Sequence, residues 1–351
     1  MTSTARKVRA GRRTVEVHRP DKVLLPPEEP EGGDGAGGAH GRTKGDGKEH
    51  DRTEGHGKEH GRTKDDGGGH GCTKGDLVDY YRSVAPFMLP HLRGRPLMLE
   101  RHPDGVPGPM FMQKDTPDHY PDWITRAEVA KEGGTVTHTV CDDSATLLYL
   151  ADQACVTLHR WLSRVGRVDR PDRMVFDLDP AKDGAPQDVF DAVRDAARLL
   201  GELLDQVGLP SALMTTGSRG LHVIVPLNGR HHVDDVRDFA KEVAELLAES
   251  RPDELTTAVR KKDRGGRLYL DVQRNAYAQT AVAPFSVRAR PGAPVAVPLA
   301  WAQLDDPGTH AARWTVADAL EQARTDPWAG LLRSPRALGP ARRKLRALRG
   351  G

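Results

Sequence analysis

Residues 29–75 set the firmest limit on what this chain can fold into. Aligned on histidine, they resolve into a ten-residue unit: HGRTKGDGKE, HDRTEGHGKE, HGRTKDDGGG and a truncated HGCTKGD, with histidines at 40, 50, 60 and 70. No aliphatic or aromatic residue larger than alanine stands between Pro30 and Cys72. Such a segment cannot bury enough surface to offset its chain entropy and is expected to be disordered. Four evenly spaced histidines could hold a metal, but a flexible expanded loop accounts for them more simply. The tract contains Lys44-Gly45-Asp46-Gly47 and Lys64-Asp65-Asp66-Gly67, both of the K-x-D-G form of a ligase adenylation lysine. A repeat tract cannot supply the folded pocket that desolvates such a lysine, so that reading is rejected.

The last repeat unit runs into structure. Asp76 is a plausible N-cap, and Leu77, Tyr80, Tyr81 and Val84 follow at helical spacing. The tract therefore reads as an insertion, residues 29–70, in a domain formed by residues 1–28 and 71–332. Further on, the pattern predicts a helix over 144–163, a strand over 173–178 and a helix over 187–207. It then predicts two strands within 211–227 joined at Gly217-Ser218-Arg219-Gly220, a helix over 233–249 and a strand over 267–273. Residues 315–332 read as a closing helix and 333–351 as a basic C-terminal tail. Interleaved helices and strands with a hairpin give an α/β (α+β) class with mixed, largely antiparallel sheets.

Lys and Arg total 52 against 50 Asp and Glu, so net charge alone makes no case for nucleic acid. The ends are basic, with five cations in the first thirteen residues and seven in the last nineteen. Cys72, Cys141 and Cys155 show no paired spacing, which suits reduced thiols and a cytoplasmic location. No apolar stretch follows the basic N-terminus, so no signal peptide is expected, and no run approaches membrane-spanning length.

The chemistry is concentrated in three places. In VFDLDP, Asp177 and Asp179 lie two apart on a strand and share one face, with Leu178 on the other. Two carboxylates this close repel unless a cation sits between them, and hard oxygens suit Mg2+ or Mn2+. In RLYLDVQ, Asp271 stands between Leu270 and Val272, poorly placed for plain solvation, and is a candidate third ligand. Three carboxylates from two strands make a two-metal phosphoryl-transfer site reasonable. In TTGSRGLHV, Gly217 and Gly220 free backbone N–H groups to face a phosphate. Thr216 and Ser218 add hydroxyls there, and Arg219 and His222 add charge. Arg264, Arg267, Arg288 and Arg290 can meet charge that develops in transfer. Each feature alone also fits an ordinary turn or strand end.

Taken in order, PDKVLLP, TKGDLVDYY, FMQK, LHRW, VFDLDP, TTGSRGLHVIVPL and LYLDVQRNAYAQTAVAPFSVRARPGAPVAVPL resemble the polymerase domain of bacterial DNA ligase D. That domain belongs to the archaeo-eukaryotic primase superfamily. The resemblance covers residues 14–28 and 71–332 and implies a primase-like fold. It implies gap filling and end extension in non-homologous end joining, with nucleoside triphosphates as substrates and manganese favoured. Asp177, Asp179 and Asp271 match metal-binding acids. His159, Thr216, Ser218, Arg219, His222 and Arg288 match groups around the nucleotide, with Arg219 where many relatives have lysine; Arg264, read from its own context, joins them as a nucleotide-binding candidate. Phe111 matches an aromatic that stacks on template DNA, with Lys114 following it, and Met112 replaces a second aromatic. Lys22 and Lys74 match lysines that hold the 5′-phosphate across a gap.

The tract lies between those two lysines, which raises the idea of extra weak phosphate contacts; a neutral expansion is the simpler account. The resemblance leads us to expect a nucleotidyltransferase working on DNA ends as a standalone chain near the nucleoid. Ku and an ATP-dependent DNA ligase would then be separate chains. A primase that starts chains de novo, a non-catalytic DNA-end binder and a metal phosphoesterase are the rivals.

Overall fold

The computed structural model describes residues 5–27, 71–181 and 186–350, so the repeat tract lies outside the described residues. Its two flanks are nonetheless fixed. The strands β1 (Arg6–Ala10) and β2 (Arg13–Val17) form a hairpin, and β3 (Val23–Leu25) pairs antiparallel with β4 (Cys72–Thr73). Leu25 stands opposite Cys72, so the chain leaves for the tract and returns from it at adjacent positions. Thr73 then caps helix α1 (Lys74–Leu92). Its hydroxyl accepts the Asp76 N–H at 3.1 Å, and the Asp76 carboxylate accepts the Thr73 N–H at 2.9 Å. Asp76 is thus the third residue of a reciprocal cap rather than the cap itself. It satisfies a donor that the first turn would otherwise leave open.

Next come β5 (Leu97–Arg101), β6 (Phe111–Gln113), a hairpin of β7 (Arg126–Lys131) and β8 (Gly134–Thr139), α2 (Ser144–Asp152) and β9 (Cys155–Trp161). The helix expected over 144–163 therefore stops halfway. Ala154 takes a left-handed φ of 56°, which ends the helix, and the rest of the apolar run becomes a buried strand. A strand covered on both faces carries no alternation, so its sequence reads like a buried helix.

Strand β10 (Arg173–Asp179) leads to α3 (Pro186–Gln206). Strands β11 (Ala212–Thr215) and β12 (Leu221–Pro226) form the expected hairpin, followed by α4 (Val233–Ser250). After these come β13 (Leu255–Thr256), β14 (Leu268–Asp271), β15 (Thr280–Val282), β16 (Pro298–Leu299), α5 (Ala319–Arg324) and α6 (Leu338–Gly350). The closing helix expected over 315–332 shrinks to α5, because Asp326, Pro327 and Gly330 turn the chain away. The segment expected as a basic tail is α6. Leu338, Ala341 and Leu345 are buried, and Arg342 donates to the Asp235 carbonyl of α4 at 3.0 Å.

Two sheets organise the molecule. One has six strands in the order β13-β14-β10-β12-β11-β16, antiparallel except for β13–β14, and the other runs β15-β9-β5-β6. One face of the larger sheet, with Phe176, Leu178 and Val223, shares a core with Val193, Leu200, Phe239 and Val243 of α3 and α4. The other face, with Val175, Met214 and Ile224, packs on Ala281 and Val282 of β15. The strand-end acids of β10 share this second face and so point into the cleft between the sheets.

Candidate active site

Strand register assembles the acids. Asp177 of β10 stands opposite Asp271 of β14 on one side and opposite His222 of β12 on the other. All three side chains therefore share a face with Asp179. They line a cleft of about 270 Å³, with His159, Thr216, Ser218, Arg219 and Arg288. The structure thus brings together nine of the ten nucleotide and metal candidates around one cleft. The tenth, Arg264, joins through Asp179, donating to Oδ2 at 3.1 Å while it stacks 3.9 Å above the Tyr269 ring.

The turn between β11 and β12 reaches the acids because its glycines allow it. Gly217 has a φ of 62°, and a Cβ there would meet Arg288 and the backbone of Val295 and Ala296 within 2.9 Å. A Cβ on Gly220 would lie 2.0 Å from the Leu178 carbonyl oxygen, so only glycine lets the turn press on β10 between its two acids. The Thr216 hydroxyl is engaged inside the turn, donating to the Gly220 carbonyl at 2.9 Å and accepting its N–H at 3.2 Å. Ser218 and Arg219 are left as the turn's groups toward the cleft. Arg288 donates to the Thr216 carbonyl at 2.7 Å, while its Nε and the His222 Nδ1 are buried without a partner among the described residues.

Arginines offset the repulsion among the acids. Arg274 donates Nε to Asp177 at 3.2 Å and lies 3.6 Å from Asp271, and Arg219 lies 3.5 Å from Asp179. Burial alone would raise the Asp177 carboxyl, but His222 and Arg274 hold it down at about 2. Asp271 is raised, by burial first and by the Asp177 charge, against the pull of Arg274. On the opposite wall, burial lowers the His159 imidazole while Glu100, 3.8 Å away, resists. Arg274 and Glu100 contact the candidate residues and were not among those read from the sequence. The cation three residues after Asp271 was the only signal for the first. Glu100 depends on β5–β9 register and left no sequence trace.

Three oxygen ligands on one face match the preference of Mg2+ or Mn2+. Among the described residues no three His, Cys, Asp or Glu groups stand close enough to form a ready-made metal site. Guanidinium groups stand between the carboxylates, in the role a divalent cation would take. The donor chemistry of the three carboxylates fits the ion.

The DNA candidates lie elsewhere. Lys22 and Lys74 are gathered at the start of α1, where the Lys74 N–H donates to the Lys22 carbonyl at 2.8 Å. Lys74 is buried 3.4 Å from Asp152, and Lys22 contacts the Pro103 carbonyl and, at 3.0 Å, Asp104. Burial lowers the Lys74 ammonium, Asp152 opposes this, and nearby Arg19 and Lys22 push it further down. Phe111 is 57% exposed on the edge strand β6. Met112 faces Glu100 across the strand pair, which puts Met112 rather than Phe111 on the His159 side of the sheet. Lys114 lines a separate cavity with His138 and Trp161 and does not reach the acids. No helix among the described residues is long and apolar enough to cross a membrane.

Comparison with known proteins agrees with this geometry. Residues 73–328 match the family described as LigD, primase-polymerase domain. The multifunctional non-homologous end joining DNA repair protein LigD of Mycobacterium tuberculosis is 36% identical over 240 residues, 66% of this chain and 31% of that protein. LigD of Pseudomonas aeruginosa is 31% identical over 273 residues, 77% of this chain and 32% of that one. The chain spans about a third of the length of the curated relatives it matches. The solved polymerase domain of M. tuberculosis ligase D in complex with DNA superposes with a TM-score of 0.69 at 32% identity. The match covers 76% of this chain and 94% of that one.

Proposed function

The chain belongs to the LigD primase-polymerase domain family, and from that premise we propose that it is a template-directed nucleotidyltransferase that extends primers and fills gaps at DNA ends in non-homologous end joining. The observation that carries the proposal is the single cleft wall on which Asp177, Asp179 and Asp271 meet the Gly217–Gly220 turn.

Asp177, Asp179 and Asp271 would hold the divalent cation, Mn2+ or Mg2+. Bound there, it supplies Lewis acidity toward the primer 3′-hydroxyl and the triphosphate. The chain's own groups do the rest. Ser218, Arg219 and the turn's N–H groups receive the triphosphate, with Arg288 and the unpartnered His222 Nδ1 beside them. Arg274, released from the carboxylates, balances charge on the leaving pyrophosphate. His159, kept in place by Glu100, lines the wall against which the nucleotide sits. Lys22 and Lys74 hold the downstream 5′-phosphate, and Phe111 stacks on the template. Ku and an ATP-dependent ligase would complete the joining reaction as partners.

The test is primer extension on gapped DNA with a downstream 5′-phosphate, Mn2+ and each nucleotide type, with an Asp177→Ala/Asp179→Ala protein alongside. Extension by the wild type that the double variant lacks supports the polymerase. No extension by the wild type, with gapped DNA still bound, would make the chain an end-binding protein.

A further inference from the structure

At the far end of β10 from its acids, a cavity of about 390 Å³ opens between α1, the turn at Phe285 and the loop 326–330. Phe87, Pro90, Phe285 and Trp328 wall it, and Arg173 reaches its inner surface. His91 meets the Trp328 ring edge-on, with centroids 5.3 Å apart, and lies 6.3 Å from the Phe285 ring. Exposed Asp326 and Arg333 stand at the mouth.

The backbone is strained to make this shape. Phe285 sits at a φ of 66°, a left-handed conformation that a bulky side chain rarely adopts. Its N–H donates to the Ala296 carbonyl at 2.6 Å and its carbonyl accepts the Tyr80 hydroxyl at 2.9 Å, which hold it there. Left-handed residues at Asp326 and Gly330 bracket the loop and fold Trp328 inward, where its indole N–H donates to the Leu213 carbonyl at 2.8 Å.

Behind Arg173 the charge is unbalanced. Arg95 and Arg164 pair with Asp172 at 2.5 and 3.0 Å, and Arg173 lies 3.9 Å from the same carboxylate. Arg160 belongs to the same cluster and is 2% exposed, with Nε and Nη1 lacking any partner among the described residues. Four guanidinium groups thus gather about one carboxylate, with Arg95 and Arg160 buried, Arg173 largely so and Arg164 44% exposed. Buried like charges are costly unless an anion offsets them.

We propose that this cavity is a second ligand site, distinct from the catalytic cleft, for a small organic anion. Its planar ring lies against Trp328 and Phe285, and its carboxylate or phosphate sits at Arg173. Six residues of extended strand separate Arg173 from Asp179, roughly 20 Å, so the two sites do not overlap.

Calorimetric titration of the full chain with phenyl phosphate, benzoate and inorganic phosphate tests this. The expected result is one saturable site for a ring-bearing anion. Inorganic phosphate should bind at least roughly tenfold more weakly, and the tighter of the two ring compounds identifies the head group. Arg173→Gln should weaken binding about tenfold or more. Ala329→Trp, which plugs the cavity from an exposed wall position, should abolish binding with the melting temperature unchanged. Three results would overturn the proposal: no saturable binding of either ring anion, binding indifferent to Ala329→Trp, or displacement by a nucleoside triphosphate.

Discussion

A single carboxylate can carry an acid-sensitive share of this protein's stability, and Asp172 is placed to do so. Burial alone would raise it, but Arg95, Arg173 and Arg164 hold it at about 2. Its folded value lies below its unfolded one, so its contribution is complete above about pH 4 and is lost as the pH falls toward 2. The contribution should amount to about 2–3 kcal/mol. Asp172→Asn should therefore be strongly destabilised at neutral pH, and its deficit against wild type should shrink as urea titrations move from about pH 5 to pH 2.5. A deficit that stays constant with pH would mean the arginines do not govern this carboxyl. Alternation decides a second residue question. Met112, 42% exposed, occupies the His159 side of the small sheet, while Phe111 occupies the other. Each base stacked on an aromatic ring is worth about 1–3 kcal/mol, so Phe111→Ala should weaken overhang DNA by at least about 1 kcal/mol. Met112→Phe should tighten it by about the same amount if the template crosses the cleft side. Fluorescence anisotropy of both variants decides it. A loss in the first with no gain in the second would run the template over the opposite face.

At the scale of elements, the site depends on how closely the β11–β12 turn can approach β10. Gly220→Ala puts a methyl 2.0 Å from a backbone carbonyl oxygen that no side-chain rotation can move. The turn must back away from the strand, so the change should cost about 3 kcal/mol or more in urea midpoint stability. It should also abolish primer extension, because the turn that backs away carries Ser218 and Arg219 from their place beside Asp177 and Asp179. A folded, active Gly220→Ala protein would show that the turn is free to float. Much of this is legible in the sequence: an acid-leucine-acid strand end fixes two side chains on one face whatever else the chain does, and Gly-x-x-Gly between apolar strands marks a tight turn. What is not legible depends on partners distant in sequence. Whether the apolar run after Ser144 is helix or strand is settled by its burial on both faces, and Ala154 breaks it without any glycine or proline as a warning. The pairing of Arg274 with Asp177 and of Glu100 with His159 exists only once the strands are in register. The Leu338, Ala341, Leu345 stripe of α6 is present in the sequence but obscured by its arginines.

At the scale of the whole molecule, the remaining question is how a fold tolerates a long polar tract between its two domain segments. The answer lies in where the tract is attached. Leu25 and Cys72 are cross-strand neighbours, so the connection begins and ends at one spot and leaves the rest of the fold as it would be with a short turn. Closing a loop costs entropy that grows only with the logarithm of its length, which makes a long tract tolerable rather than neutral. Removing residues 31–70 shortens the connection about eightfold and should therefore stabilise the protein by about 1–2 kcal/mol. Charge argues the same way about function. Residues 31–70 hold nine Asp or Glu against seven Lys or Arg, so the tract has no net attraction for a phosphate backbone. Lys22 and Lys74 should carry the end contacts without it. The deletion protein should bind gapped DNA with the same dependence on salt as the full chain, since removing a cation that neutralises one phosphate would flatten that slope by about 0.9. A flatter slope together with weaker binding would show that lysines of the tract, such as Lys44 and Lys64, reach the DNA after all. Lower stability on deletion would show instead that the tract packs on the domain.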